Sequence, residues 1–184
     1  MTQKTRLNNA TLDQLKASIQ PPITASQAIE PGILHLGIGA FHRAHMAYHT
    51  QRAINADPEN RQWGIQGVSF RSPAIRDQLR PQDYLYSLTA QENETTSTEI
   101  ITTVKDVIFA PDDYTASPKI IADTPTKIVS MTITEKGYCH DPATGQLDEA
   151  NPGVVADIEN PTAPTTAIGT LAEGLYLRFK GKAA

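Results

Sequence analysis

Apolar residues fall in short runs separated by polar, proline-rich or glycine-rich breaks. Ile33-Leu34-His35-Leu36 is short and mostly apolar, the pattern of a strand buried on both faces. Residues 63–70 and 127–134 read as further strands of the same parallel set. Residues 83–89 alternate like a half-buried strand, and 98–104 are β-branched. The polar stretch 91–97 between them predicts a hairpin beside the parallel sheet, and Val107-Ile108-Phe109 adds apolar residues after it.

The intervening segments read as helices. Thr11-Leu12-Asp13-Gln14 fits a capping box opening a short helix to Ile19, stopped by Pro21-Pro22. Helices are predicted over 41–55, 73–79 and 112–123. Residues 140–166, punctuated by Pro142, Gly145, Asn151-Pro152-Gly153 and Asn160-Pro161, read as one long excursion. Ile168, Leu171, Ala172, Leu175, Tyr176 and Phe179 then share one apolar helical face, with Gly181 as the stop. A crossover helix in a parallel sheet leads into another strand, yet only Lys182-Ala183-Ala184 follow. The pattern predicts an α/β fold, a parallel sheet with helices on both faces and an antiparallel insertion, truncated before its last strands.

The first strand runs into Gly37-Ile38-Gly39-Ala40-Phe41 and then a helix. Gly37 suits a tight turn, and Gly39 has no side chain to hold a phosphate away from the backbone. The third glycine of the usual fingerprint is replaced by His42, and Ala44 is the alternative small residue. The motif fits either a pyrophosphate cradle or a strand–turn–helix with two turn glycines. At the end of the next strand, where a dinucleotide fold reads the adenosine ribose, stand Arg71 and Ser72. Arg71 is suited to stack on adenine or pair with a 2′-phosphate, or else is a solvated strand end. Thr134-Glu135-Lys136-Gly137 closes the strand over 127–134, where a nicotinamide or substrate would sit.

Composition narrows the partners. A net charge of −4 leaves no footprint for nucleic acid or an anionic membrane. The lone Cys139 cannot make an internal disulfide and suits a reducing cytosol. The start of the chain does not read as a signal peptide. His42, His45 and His49 share helical spacing that could bind a metal, but no acidic or thiol ligand completes a set within that helix. A metal-dependent hydrolase therefore ranks last, and no metal is expected.

Three stretches together resemble the polyol-specific long-chain dehydrogenase family, the group of mannitol dehydrogenase and fructuronate reductase (mannonate oxidoreductase). They are 37–45, 63–68 and 130–138, extended by Asn160-Pro161-Thr162-Ala163-Pro164 and Ala167-Ile168-Gly169. The resemblance covers roughly residues 30–180 and only the N-terminal, Rossmann-type part of the family. It implies hydride transfer between a nicotinamide cofactor and C2 of a polyol or aldonate. NAD is the expected cofactor, with NADP left open. Implied cofactor-binding residues are Gly37, Ile38, Gly39, Ala40, Phe41, Arg71, Ser72, Thr134 and Glu135. The resemblance places the family's lysine base, with its substrate-holding asparagine and histidine, in a C-terminal helical domain that this chain lacks. No catalytic residue is therefore assigned, and Lys136 is not promoted. A polar segment with a short helix (1–30) and an incomplete NAD(P)-binding domain (31–184) are expected, in the cytoplasm. The expected partners are a polyol or sugar acid and a C-terminal half covering the truncated face. The alternative is a non-catalytic nucleotide- or partner-binding fragment, or one half of a split enzyme.

Overall fold

The computed structural model describes residues 5–183, so residues 1–4 and 184 lie outside it. In chain order the strands are β1 (Ile19–Gln20), β2 (Pro31–Leu36), β3 (Gly64–Ser69), β4 (Tyr86–Glu92), β5 (Thr95–Ile101), β6 (Val104–Phe109) and β7 (Ile128–Met131). The helices are α1 (Ala40–Ala44), α2 (Met46–Ala56), α3 (Ala74–Leu79), α4 (Ala116–Ala122), α5 (Pro152–Glu159) and α6 (Ala167–Ala183).

Four strands form a parallel sheet in the order β6-β3-β2-β7. Side chains alternate across it. Ile33, Ile65, Val104 and Val107 pack on one face with Ala47 of α2 and Leu79 of α3. Leu34, Leu36 and Val68 pack on the other with Ile121 of α4 and Ala167 of α6. Each fully buried Leu, Ile or Val here contributes roughly 1.5–3 kcal/mol. The fold is thus α/β with helices on both faces. A second sheet, β1-β5-β4, holds the expected antiparallel hairpin, with Tyr86 opposite Ile101 and Glu92 opposite Thr95.

The parallel sheet has one strand more than the sequence reading. Val107-Ile108-Phe109 belong to β6, paired with β3, and not to the hairpin. The exchange occurs at Thr102 and Thr103, both fully buried. Thr102 donates its N–H and hydroxyl to Gln51 Oε1 at 2.8 and 2.9 Å, and the Thr103 hydroxyl donates to the Ala47 carbonyl at 3.1 Å. Side chains and α2 take over the hydrogen bonding there, so the chain leaves one sheet and enters the other.

Other differences have equally local causes. The helix expected after Thr11 is a 3-10 turn, Asn9–Gln14, capped by Asn8. Asn8 accepts from the Ala10 N–H, and Thr11 takes the returning role by accepting the Asn8 N–H, both at 3.0 Å. The chain is extended by Leu15 and goes on to β1, which pairs with β5. The single helix over 41–55 is two, broken at His45 (φ −118°, ψ −78°). The excursion over 140–166 contains α5, because Asn151-Pro152-Gly153 is a cap and not a loop. Asn151 Oδ1 accepts from the Gly153 N–H at 2.9 Å, and Pro152 sits where a helix lacks an N–H partner anyway.

Helix α6 runs through Gly181 and is turned from its expected orientation. Its buried side carries Ala167, Thr170 and Gly174, and a Cβ on Gly174 would lie 2.5 Å from Ile121 Cβ. Arg178 fastens this side by donating to the carbonyls of Ile121, in the last turn of α4, and of Asp123 and Thr126, between α4 and β7. The expected apolar face is split: Leu171 packs on the core, whereas Leu175, Tyr176 and Phe179 are exposed. Ile128, at the start of the edge strand β7, is also exposed.

Candidate functional site: a cleft at the ends of β2 and β7

β2 pairs with β3 on one side and β7 on the other. Chain connections diverge at such a point, and a crevice opens beyond the carboxyl ends of the strands. Here the crevice holds about 410 Å³. Gly37, Ile38 and Gly39 line it from β2, Arg71 and Ser72 from β3, and Thr132 and Thr134 from β7.

The two glycines are there for different reasons. Gly37 has φ +100°, and a Cβ would lie 2.3 Å from the Thr132 carbonyl oxygen. Backbone geometry alone requires glycine there. Gly39 has φ −75°, and its Cβ would meet only the Gly37 carbonyl oxygen at 3.9 Å. Packing does not require Gly39, and its lack of a side chain leaves the backbone here open to close approach. No side chain caps the first turn of α1, which starts at this point. These features fit a dinucleotide's pyrophosphate. The turn itself is rigid: Gly37 and Ile38 donate to the Val68 carbonyl at 2.8 and 3.2 Å, and Arg43 Nη1 donates to the Ile38 carbonyl at 3.0 Å.

Beneath the turn lie two histidines. His35 and His42 are fully buried and stacked, ring centres 3.6 Å apart. His35 Nδ1 and Ser130 Oγ are 2.9 Å apart, which ties β2 to β7. Burial pulls the His35 pKa down to about 4. Burial, with the neighbouring His35 and Arg43, pulls His42 down to about 3. Both rings are neutral at pH 7. Fully buried and stacked on His35, His42 packs under the turn. His45 and His49 are exposed, against Phe41 and Tyr48 respectively, and so do not converge with His42.

Not every expected residue reaches the cleft lining. Ala40 and Phe41 follow the turn on α1, where Phe41 is 65% exposed and Ala40 lines a separate hollow beside Arg43. Glu135 and Lys136 are exposed in the 3-10 turn Glu135–Tyr138, next to Thr134 but outside the lining. Arg71 Nη2 donates to Thr134 Oγ1 at 2.9 Å, joining the ends of β3 and β7. The Ser72 hydroxyl accepts from the Ala74 N–H at 3.2 Å, so it orders the start of α3 while keeping its own proton.

The sequence reading missed Cys139, Thr165, Thr166 and Ala167 in the lining. The Cys139 thiol is nearly buried, and burial, then Asp157 and Asp148, push its pKa up. It is a wall residue and a poor nucleophile.

Fold and cleft together define a Rossmann-type dinucleotide-binding unit. Residues 31–184 match the mannitol dehydrogenase Rossmann domain, and the chain belongs to that family. A polyol:NADP oxidoreductase of Gluconobacter oxydans is 38% identical over 177 residues, 94% of this chain and 36% of that protein. A D-mannonate oxidoreductase of Escherichia coli is 40% identical over 154 residues, 82% of this chain and 31% of that protein. The structure of Pseudomonas fluorescens mannitol 2-dehydrogenase, a ternary complex with NAD and D-mannitol, superposes with a TM-score of 0.91 at 34% identity. It covers 97% of this chain and 37% of that one. The chain thus spans about a third of the length of these relatives.

Proposed function

We propose that the cleft binds NAD and that the chain is the coenzyme-binding part of an oxidoreductase acting at C2 of a polyol or aldonate. The observation that carries this reading is the open space at Gly39, beside a turn built on Gly37 at the divergence of the sheet. Gly37, Ile38 and Gly39 would meet the pyrophosphate, with Ala40 and Phe41 carrying the turn into α1 outside the lining. Arg71 and Ser72 would meet the adenosine ribose and Thr134 the nicotinamide end, with Glu135 next to Thr134 outside the lining. When bound, the cofactor supplies or accepts the hydride. This chain's residues bind and orient it, and the resemblance puts the proton-accepting lysine in the part of the relatives beyond this chain.

The outward stripe of α6, with Ile158 and Val155 of α5, favours a companion reading: this face is covered by the polypeptide equivalent to the remaining two thirds of the relatives. Turnover then needs both parts, whether joined or separate. No helix of the described residues is long and apolar enough to cross a membrane, and a cytoplasmic location goes with this reading.

The test is calorimetric titration of the 184-residue chain with NADH and, separately, NADPH, checked by nicotinamide fluorescence. Trp63 is an unsuitable reporter. It precedes β3, under Lys127 and roughly 20 Å of strand away from the cleft. Saturable binding of either cofactor supports the reading, and its absence in folded protein refutes it for this chain. NADH binding tighter than NADPH supports the assignment to NAD. The reverse order would make Arg71 a reader of a 2′-phosphate.

A further inference from the structure

The chain between α5 and α6 ends on Thr165 and Thr166, which line the same cleft as Gly37 and Gly39. Behind them stands Asp157 of α5, 9% exposed. Its Oδ1 accepts from the Thr165 N–H at 2.6 Å and hydroxyl at 2.9 Å. Its Oδ2 accepts from the Thr166 N–H at 3.2 Å and hydroxyl at 2.5 Å. Four donors on one carboxylate fill its ordinary acceptor capacity. The Thr166 hydroxyl in turn accepts from the Gly169 N–H at 2.9 Å.

The carboxylate also lies on the first turn of α6. A Cβ on Gly169 would be 2.1 Å from Asp157 Oδ2, so glycine is needed there to admit the charge. A carboxylate at this end opposes the positive pole of a 17-residue helix. Two helix starts therefore border the cleft, and they differ. That of α1 has no side-chain cap. That of α6 is occupied and neutralised from behind, with both threonine hydroxyls committed to Asp157.

We infer that Asp157 is a positioning residue of the cofactor cleft: it fixes the Thr165–Thr166 wall and silences the α6 start as a rival anion site. A dinucleotide's phosphates are then left with the glycine turn alone. This inference rests on the reading that the cleft binds the nicotinamide cofactor. It predicts an effect on affinity separate from any effect on stability.

The experiment compares the wild-type chain with Asp157→Asn, Thr165→Val and Thr162→Ala, well below each melting temperature. NADH affinity is measured by calorimetry, with inorganic phosphate as competitor. Asp157→Asn replaces an acceptor by a donor and removes the charge. It should raise the NADH Kd at least tenfold and let phosphate compete at lower concentration, which loosened packing alone would not do. Thr165→Val should raise the Kd severalfold. Thr162, whose hydroxyl is used only by Asn160 in the exposed connection, should change it less than twofold. A folded Asp157→Asn chain with a lowered melting temperature but wild-type Kd and phosphate competition would overturn the inference. If Asp157→Asn does not fold, an unchanged Kd in Thr165→Val overturns it. Absence of NADH binding by the wild type would refute the cofactor reading itself, and this inference with it.

Discussion

The imidazole of His42 lies on that of His35 at 3.6 Å, and three of their four ring nitrogens have no hydrogen-bond partner. The pair is held neutral by burial, with pKa values near 4 and 3 against the usual 6.5. Unfolded, each ring titrates near 6.5. Between those values the unfolded chain binds protons that the native chain excludes. Stability is therefore complete above pH 6.5 and is lost as the pH falls toward 4, by about 1.4 kcal/mol per pH unit per histidine. Urea unfolding at pH 7.5, 6.5, 5.5 and 4.5 should show a plateau and then a decline. His42→Leu should make the decline shallower. A wild-type profile flat to pH 4.5 would contradict the buried neutral pair.

The two turn glycines should separate stability from binding. Gly37→Ala places a Cβ in a left-handed conformation and against the Thr132 carbonyl oxygen. It should destabilise by roughly 2 kcal/mol or more, seen as a lower melting temperature. Gly39→Ala meets nothing closer than 3.9 Å. It should melt within a degree or two of wild type while weakening NADH about tenfold, because the added methyl occupies the approach to the turn. Equal melting losses in both variants would remove the argument that Gly39 exists for a ligand.

The difference between these glycines also explains what the sequence could reveal. Gly37-Ile38-Gly39 was legible because a left-handed turn and a close backbone approach have few chemical solutions, and they are contiguous. The parallel strands were legible as short, mostly apolar stretches bounded by turn residues. β6 was not, because the change of sheet depends on Gln51 of α2 accepting from Thr102, a contact between segments far apart in the chain. Asn151-Pro152-Gly153 carried turn residues that also make a good helix start, and local composition cannot separate the two. Asp157, Thr165 and Thr166 lay in a stretch read as loop. Their relation to the glycine turn exists only once α5 forms and α6 packs on α4.

Arg178 is expected to carry more than its surface location implies. Its Nη1 lies 3.0, 3.2 and 2.7 Å from the carbonyl oxygens of Ile121, in the last turn of α4, and of Asp123 and Thr126, which follow it. The Ile121 carbonyl is among the last of α4, which lack a partner within the helix, and the two N–H groups of Nη1 are shared among the three oxygens. Arg178→Ala should lower stability by about 1.5–3 kcal/mol. Arg178→Lys, with a single point charge, should recover only part of it. Hydrogen exchange should localise the loss to α4 and to the approach to β7. An Arg178→Ala chain with wild-type urea midpoint would show that water replaces these bonds at no loss.

Helix α6 should govern the behaviour of the isolated chain in solution. Phe179 is 72% exposed and Ile158 65%, while Tyr176 and Lys180 border an apolar groove of about 710 Å³ between α5 and α6. Contiguous apolar surface of this kind drives association. Yet the buried side of α6, through Gly174 and Arg178, uses neither residue to hold the fold. Phe179→Ser and Ile158→Ser together should therefore leave the melting temperature nearly unchanged and convert a concentration-dependent sedimentation profile to a monomeric one. If the wild-type chain is already monomeric at high micromolar concentration, the stripe is not adhesive by itself. If the double variant unfolds, the outward face helps to hold the domain.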